Sequence, residues 1–301
     1  MEVLKNGRIQ TIIRIYRLPL HKNLNKYIRK REMELLINLL QYSFMQRALI
    51  CGIAISLCAA LIGVILVLKK YSMIGHGLGE VAFASLSLAL VFNLPQMYVA
   101  IPIVIIASFI ILIISQKQGE SGDITIALVS AGALAFGVII TSLTSGFNID
   151  VYNYMFGSIL TMSTSDVIIS VVLSALLVIA YVFFYNRLFM ITYDEKYAKV
   201  CGINVTFYQF LIALFTALVV VIGMRMMGTL LISSLIVFPA VIARKLTYSF
   251  KGMAVMSVII SILCFLFGLV ISSLLNLPTG ASIVMVYIGV LLFSTIWKKI
   301  R

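Results

Sequence analysis

The chain contains long apolar runs without a single charged residue, and the longest extends from Gly252 to Trp297. Inside a bilayer the backbone must satisfy its own hydrogen bonds, so such runs fold as helices of roughly 20 residues. The composition agrees, because 62% of the residues are hydrophobic and 11% are charged, against about 25% charged in soluble domains. The sequence therefore predicts an all-α, polytopic membrane protein and argues against a soluble enzyme or a protein that binds nucleic acid.

Charged residues and two Asn-Leu-Pro breaks divide the apolar sequence into eight or nine transmembrane helices. The count depends on whether the short piece 228–243 crosses the membrane completely. The other predicted spans are 48–68, 81–115 (two spans, divided at 93–95), 124–143, 166–186, 205–223 and 252–297 (two spans, divided at 276–280). A further apolar stretch, 152–161, is too short to cross alone and is interpreted as a re-entrant or interfacial helix.

The positive charges are unevenly divided between the two ends of the predicted helices. The net charge is +13. If the helices alternate in direction, Arg225 is the one basic loop residue after the first span on the sparsely charged side. Cytoplasmic loops retain Lys and Arg, so we expect a multi-pass protein with a cytoplasmic C-terminus whose basic residues face lipid headgroups and the cytoplasm.

Residues 1–32 form a basic extension ahead of the predicted transmembrane region, 33–301. With nine crossings, alternation would place this basic segment outside the cell. One interpretation is a start assigned too far upstream, so that the working protein begins near Met33. The other is a cytoplasmic amphipathic anchor on membrane lipid, which requires an even number of crossings.

The sequence offers little for catalysis. It contains no Gly-Lys dipeptide and therefore no Walker A loop to hold ATP phosphates. We expect a transport protein, not an enzyme, with any ATP hydrolysis supplied by a partner subunit. Ionisable residues in or beside apolar helices are expensive to insert and mark transport pathways. The candidates are His76 with Glu80, Asp166 and Arg225.

Several motifs occur in an order that is typical of one family. They are Leu66–Phe83, Asn153–Leu160, Gly228–Ala240 and Leu277–Ser282. With them the chain resembles the permease subunits of zinc/manganese ABC importers. The resemblance implies a type II ABC importer-like permease in the plasma (inner) membrane of a prokaryotic cell. It also implies a second copy of the chain, a cytoplasmic ATP-binding subunit and an extracellular metal-binding protein as partners. The divalent metal ion is cargo, and no permanently bound cofactor is implied.

The resemblance places ATPase coupling in a cytoplasmic segment at about 193–203. Its site residues are Asp194, Glu195, Ala198 and Gly202. The residues themselves predict a short helix, because acidic side chains in the first turn complement the helix dipole and Gly202 suits a left-handed C-terminal cap. The alternative is an ordinary solvated loop.

His76 and Glu80 are the candidate metal ligands. They are four residues apart, so on one helical face their side chains project about 6 Å apart and reach one ion. Two copies of the chain would supply two imidazoles and two carboxylates, a set suited to zinc, which we favour, or to manganese. Gly75, Gly77 and Gly79 would let the two helices approach closely. Members of the family more usually have Asp and His, in that order, at these two positions.

Two alternatives to this metal site remain open. In the first, His76 caps a cytoplasmic loop and Glu80 pairs with a basic residue at the interface. In the second, the chain is an ion-coupled secondary transporter that uses His76 and Glu80 as a proton relay. Such transporters often contain inverted repeats with matched broken helices, and we find no convincing internal repeat in this sequence.

Asp150, Asp166 and Arg225 are the candidate residues of the outer face. Asp150 and Asp166 flank the stretch 152–161 and are placed to attract cations towards the pore mouth, although capping of helix ends is the simpler interpretation. Arg225 is interpreted as an interfacial anchor or as a contact for acidic groups on the outer binding protein.

Overall fold

Helices account for every regular element in the part of the chain that the structure describes. The structure is a computed structural model that describes residues 43–118, 122–143, 164–275 and 277–300, and it contains no strand within these ranges. The helices are α1 (Ser43–Leu68), α2 (Ile74–Val91), α3 (Gln96–Gln118), α4 (Gly122–Leu143), α5 (Thr164–Phe183), α6 (Tyr185–Tyr193), α7 (Glu195–Val200), α8 (Val205–Met227), α9 (Thr229–Leu246), α10 (Phe250–Leu275) and α11 (Thr279–Ile300). The predicted all-α fold is confirmed.

Eight of these helices, α1 to α4 and α8 to α11, are long and apolar enough to cross a membrane. Helices α5 and α6 are bent by 72° where they meet and together pass the same test, which raises the count to nine. The predicted eight or nine spans are confirmed, but a different element decides the count. The piece 228–243 extends into the 18-residue helix α9, whereas the predicted span 166–186 breaks at Phe184.

The break between α5 and α6 coincides with an aromatic contact. Phe184 leaves the helical path, with φ −94° and ψ 8°. Its ring meets the ring of Tyr208 in α8 edge-on, with 5.6 Å between the centroids. Neither glycine nor proline occurs at this point, so the sequence gives no local signal for the bend.

The chain divides into two compact units, Met1–Gln46 and Arg47–Arg301. Of the first unit, only residues 43–46 are described, and they form the start of α1. The predicted boundary between 32 and 33 lies outside the described residues and stays a prediction. The same holds for the interpretation of 1–32 and of the stretch 152–161.

Helices α1 and α2 are the inner helices of the larger unit. In each, 78% of the most apolar window is buried, against 28% in α3 and 22% in α4. Helix α2 contacts α3, α4, α8 and α9. Helix α2 therefore lies inside the bundle and not on its lipid-facing surface. It is the helix that carries the candidate ligands His76 and Glu80.

Serine hydroxyls join neighbouring helices across the interior. The Ser108 hydroxyl donates to the carbonyl of Ala213 at 3.0 Å and links α3 to α8. The Ser261 hydroxyl donates to the carbonyl of Ser56, also at 3.0 Å, and links α10 to α1. Bonds of this kind average about 0.6 kcal/mol between membrane helices, so they fix the register of the helices more than they stabilise the bundle.

The basic helix ends lie together, and we call this side of the bundle the basic end. Three side-chain contacts join helix ends there: Lys69 in the α1–α2 turn with Glu195 in α7, Arg187 in α6 with Tyr208 in α8 at 2.6 Å, and Lys245 in α9 with Thr295 in α11 at 2.6 Å. The C-terminal turn of α11 is at this end. The uneven charge distribution is therefore a property of the fold, and its assignment to the cytoplasm stays a prediction.

Helices α1 and α9 come closest at Gly63. A Cβ atom at this position would lie 1.9 Å from the carbonyl oxygen of Ile236. Backbone atoms move only with their whole helix, so no side-chain adjustment relieves such a contact. Gly63 therefore sets the distance between the two helices.

We predict that Gly63→Ala lowers the thermal unfolding midpoint of the purified protein in detergent, because overpacking of a close helix contact costs about 1–3 kcal/mol. The matched control is Gly132→Ala in α4, where a Cβ atom would meet nothing within 4 Å. That variant should keep or raise the midpoint, since alanine is favoured over glycine in a helix by roughly 0.5–1 kcal/mol. Equal midpoints for the two variants would contradict the close approach of α1 and α9.

Candidate functional site

Helix α2 starts at Ile74 and so includes both candidate ligands. Before it, α1 ends in a tight turn in which Lys70 adopts φ 62° and the Tyr71 N–H donates to the carbonyl of Leu66 at 2.8 Å. This bond and the left-handed residue are the features of a Schellman cap. The helical geometry expected for His76 and Glu80 is confirmed, and their spacing places them on one face of α2.

The two candidate ligands have different surroundings. The side chain of His76 is exposed, whereas Glu80 is only 7% exposed. Among the described residues, Glu80 has neither a hydrogen-bond donor nor a Lys or Arg within ion-pair distance. His76 is the ionisable neighbour that interacts with it electrostatically. No basic partner for Glu80 is therefore present in the described chain.

The three glycines around the candidate ligands pack within the chain. A Cβ atom at Gly75 would lie 3.0 Å from the side chain of Ile236 in α9, and one at Gly77 would lie 2.8 Å from the side chain of Ile126 in α4. Gly79 also faces α9. These glycines let α9 and α4 approach α2, so the expected close approach between two copies of the chain is not needed to explain them.

A one-residue turn joins α8 to α9 beside the candidate ligands. Gly228 has φ 84° and ψ 162°, a conformation that is essentially restricted to glycine. The next residue, Thr229, packs against Gly79, at 3.6 Å from the position of a Cβ atom there. From Gly79 to Val91, α2 rises a further 18 Å, taking about 1.5 Å per residue. Helix α9 therefore begins inside the bundle, next to the turn of α2 that carries Glu80.

The candidate residues of the outer face are separated in the chain and only partly described. Asp150 lies outside the described residues. Asp166 is the third residue of α5. Arg225 is half-buried in the last turn of α8, next to the Gly228 turn. The roles assigned to these three residues stay predictions.

The predicted short helix is present as α7, and both of its ends are capped. The Asp194 side chain accepts hydrogen bonds from the N–H groups of Lys196 at 2.9 Å and Tyr197 at 3.0 Å. At the other end Gly202 adopts φ 77°, and the Ile203 N–H donates to the carbonyl of Ala198 at 3.0 Å. Asp194 and Gly202 therefore fix the length of the helix, as the sequence predicts.

Helix α7 has one buried and one exposed face. Ala198 is fully buried, whereas Tyr197 is 59% and Val200 is 86% exposed. The predicted coupling residue Ala198 therefore faces the interior of the chain. Its small side chain lets α7 lie flat on α6 and α8, and Tyr197 and Val200 form an apolar pair on the exposed face.

The comparisons with known proteins agree with this architecture. The model of the ABC 3 transport family matches residues 41–298. The chain belongs to the ABC 3 transport family. It is 26% identical to the manganese transport system membrane protein MntC of Listeria monocytogenes, over 82% of the chain and 88% of that protein. It is 27% identical to the high-affinity zinc uptake system membrane protein ZnuB of Haemophilus influenzae, over 79% of the chain and 91% of that protein.

A solved structure gives the same result for the fold. The chain superposes on PsaBC from Streptococcus pneumoniae in complex with Fab with a TM-score of 0.77 and 27% sequence identity. The match covers 87% of the chain and 94% of that structure's chain. The predicted ABC importer-like permease fold is confirmed.

In this ABC 3 family member, the structure identifies two residues near α7 that the sequence does not single out as site residues. Lys69, whose side chain is 5% exposed, forms an ion pair with Glu195 at the start of α7. Gln209 in α8 donates to the same carboxylate at 3.2 Å. In the sequence, Lys69 stands beside Lys70 at the end of the first apolar run and looks like an ordinary basic helix end. No local pattern reveals the pair, because 126 residues separate its members.

The ion pair also sets the electrostatics of the α1–α2 turn. Burial, and secondly the nearby Glu195 carboxylate, raise the pKa of the Tyr71 phenol. Tyr71 therefore stays neutral at physiological pH and adds no second negative charge beside Lys69. The ammonium group of Lys69 is thus the buried positive charge that links the α1–α2 turn to Glu195 in α7.

We predict that Glu195→Gln destabilises the protein more than Lys69→Met does. Glu195→Gln leaves a buried ammonium unpaired, which costs about 2–3 kcal/mol. Lys69→Met leaves a carboxylate that is 35% exposed and keeps its bond from Gln209, so the cost is about 1 kcal/mol. Thermal unfolding of the two variants and of the double variant measures the difference. The double variant should be more stable than Glu195→Gln alone, and purely additive losses would contradict the ion pair.

Proposed function

We propose that this chain is the membrane permease subunit of an ATP-binding-cassette importer that moves a divalent transition-metal ion into the cell. The observation that carries the proposal is the state of Glu80. It is buried inside the bundle, one turn from His76, and has no hydrogen-bond or ion-pair partner among the described residues. A carboxylate inside the membrane costs at least about 2.5 kcal/mol. A metal ion in transit would supply the missing positive charge.

Zinc is the favoured cargo, with manganese next. One imidazole and one carboxylate per chain suit the tetrahedral nitrogen and oxygen coordination of zinc, whereas manganese prefers more oxygen ligands. The relatives include a zinc uptake protein and a manganese transport protein. Their names support a metal ion as the cargo and are compatible with either zinc or manganese. Membership of an ABC family argues against the secondary transporter.

A second copy of the chain would complete the metal site. The described residues contain no group of three or more His, Cys, Asp or Glu side chains placed to hold a metal, and His76 with Glu80 supplies two ligands. Two copies that face a shared pathway would supply four. His76 is exposed, so such a pathway would be reached at the start of α2, and Glu80 lies one turn deeper.

The ATP-binding subunit would dock on the exposed face of α7. Movement of α7 would reach α2 through Lys69, because the ion pair with Glu195 joins α7 to the turn directly before α2. An outer metal-binding protein would deliver the ion from the side opposite the basic end. The chain itself would carry out no ATP hydrolysis.

We predict that His76→Asn and Glu80→Gln each abolish zinc uptake into proteoliposomes that contain the permease and its ATP-binding subunit. Each variant removes one ligand and keeps the side-chain size. ATP hydrolysis and assembly of the complex should persist. The matched control is Ser87→Ala, seven residues after Glu80 on the same face of α2, whose hydroxyl bonds only its own helix at Phe83.

Two outcomes of this experiment would contradict the proposal. Full uptake by either ligand variant at limiting external metal would remove His76 and Glu80 from the pathway. Uptake by the permease alone, driven by an ion gradient without the ATP-binding subunit, would favour the secondary transporter.

The double variant His76→Asp with Glu80→His installs the ligand order that is more usual in the family. It should retain uptake and shift the ratio of zinc to manganese transport.

We predict that Tyr197→Ala combined with Val200→Ser weakens binding of the ATP-binding subunit by tenfold or more, because tyrosine is enriched among the residues that dominate binding energy, at about 2 kcal/mol, and the second change removes the apolar surface beside it. Co-purification and transport-stimulated ATP hydrolysis measure the loss. Tyr98→Ala is the control, because Tyr98 is 81% exposed at the start of α3, away from the basic end. Unchanged binding in the α7 variant would place the docking surface elsewhere.

A further inference from the structure

A cavity of about 510 Å³ opens on the side of the bundle near the basic end. Its walls come from α1, from both sides of the bend between α5 and α6, and from the first turns of α10. Most of the lining is apolar, with Leu61, Val255, Val258 and Ile259 among the side chains. The candidate metal ligands in α2 do not line this cavity, so the metal pathway does not explain it.

A buried tyrosine forms part of the cavity wall. Tyr181 is 3% exposed and lines the cavity. Its hydroxyl is shielded from solvent and has no hydrogen-bond partner in the described chain. Because the cavity itself is open, the hydroxyl does not face it, and the ring of Tyr181 adds to the apolar wall.

Lys251 supplies a positive charge at the mouth of the cavity. It is the second residue of α10, its side chain is exposed, and no acidic residue in the described chain lies within ion-pair distance of it. Of the acidic residues at the basic end whose side chains the structure describes, Asp194 caps α7 and Glu195 pairs with Lys69. The charge of Lys251 is thus available to an external anion.

Along α10, the charged lining residue lies at the cavity mouth and the apolar lining residues lie deeper. Val255, Val258 and Ile259 come four, seven and eight residues after Lys251, which corresponds to about 6–12 Å deeper along the helix. An amphiphile with an anionic head and an apolar tail has the same arrangement. A free phosphate ion would leave the apolar walls uncovered.

We infer that this cavity binds one anionic phospholipid from the leaflet at the basic end. Its phosphate pairs with Lys251, and an acyl chain covers Val255, Val258 and Ile259. Basic pockets between membrane helices bind anionic headgroups in this way. A second copy of the chain fits the cavity less well, because interface cores are depleted in Lys.

Native mass spectrometry of the permease with its ATP-binding subunit tests the site, with phosphatidylglycerol and phosphatidylcholine offered in equal amounts. The unmodified protein should retain phosphatidylglycerol preferentially. Lys251→Ala should reduce this preference about fivefold, and Tyr181→Phe should leave it unchanged, because the hydroxyl does not face the cavity. Ala254→Phe, which fills the cavity and keeps every polar group, should abolish retention. Lys299→Ala, at the same end but outside the cavity lining, should behave as the unmodified protein does.

Three results would overturn the lipid site. The first is equal retention of the two lipids by the unmodified protein, and the second is equal retention of phosphatidylglycerol by the Lys251→Ala and Lys299→Ala variants. The third is an efficient disulfide between two copies of a Val255→Cys variant in liposomes, which would show that protein covers the cavity. That variant is made with Cys201→Ser, because Cys201 is an exposed native thiol. A thermal unfolding midpoint equal to that of the unmodified protein confirms that each variant is folded.

Discussion

Water is absent from the bilayer core, so every polar group within the helices needs a partner inside the protein. The backbone meets this condition by forming helices throughout the described chain. Serine hydroxyls meet it by donating to carbonyls, as Ser261 does across the α1–α10 contact. Against this background, a polar group without a partner is informative, and Glu80 in α2 is the charged example.

Two buried charges differ in their partners, and we propose that one serves structure and the other transport. Lys69 is buried and paired with Glu195, which ties the α1–α2 turn to α7. Glu80 is buried on the next helix, one turn from His76, without an ion-pair partner among the described residues. Only four residues separate Lys69 from Ile74, the start of α2. A short, stiff connection of this kind would transmit movement between the proposed docking helix and the proposed metal ligands without any change within α2.

Much of the fold could be predicted from the sequence because apolar length dictates spans. The eight or nine helices and the uneven positive charge follow from runs of uncharged residues and from where Lys and Arg interrupt them. The ends of α7 were also predictable, because an Asp cap and a left-handed Gly are local signals. The bend at Phe184 was not, since it coincides with a contact to Tyr208 in another helix.

In the candidate site, too, some features could be predicted from the sequence and others only from the structure. The sequence by itself predicted that His76 and Glu80 share a helix face, because residues four apart do so once the segment is helical, and the structure supplied the helix start at Ile74. Only the tertiary structure decided that Glu80 is buried without a partner among the described residues, that Gly75, Gly77 and Gly79 serve packing within the chain, and that Ala198 faces inward. The physical reason is range: periodicity and capping act within a few residues of the chain, whereas burial, close approach and ion pairing depend on helices that lie far apart in sequence.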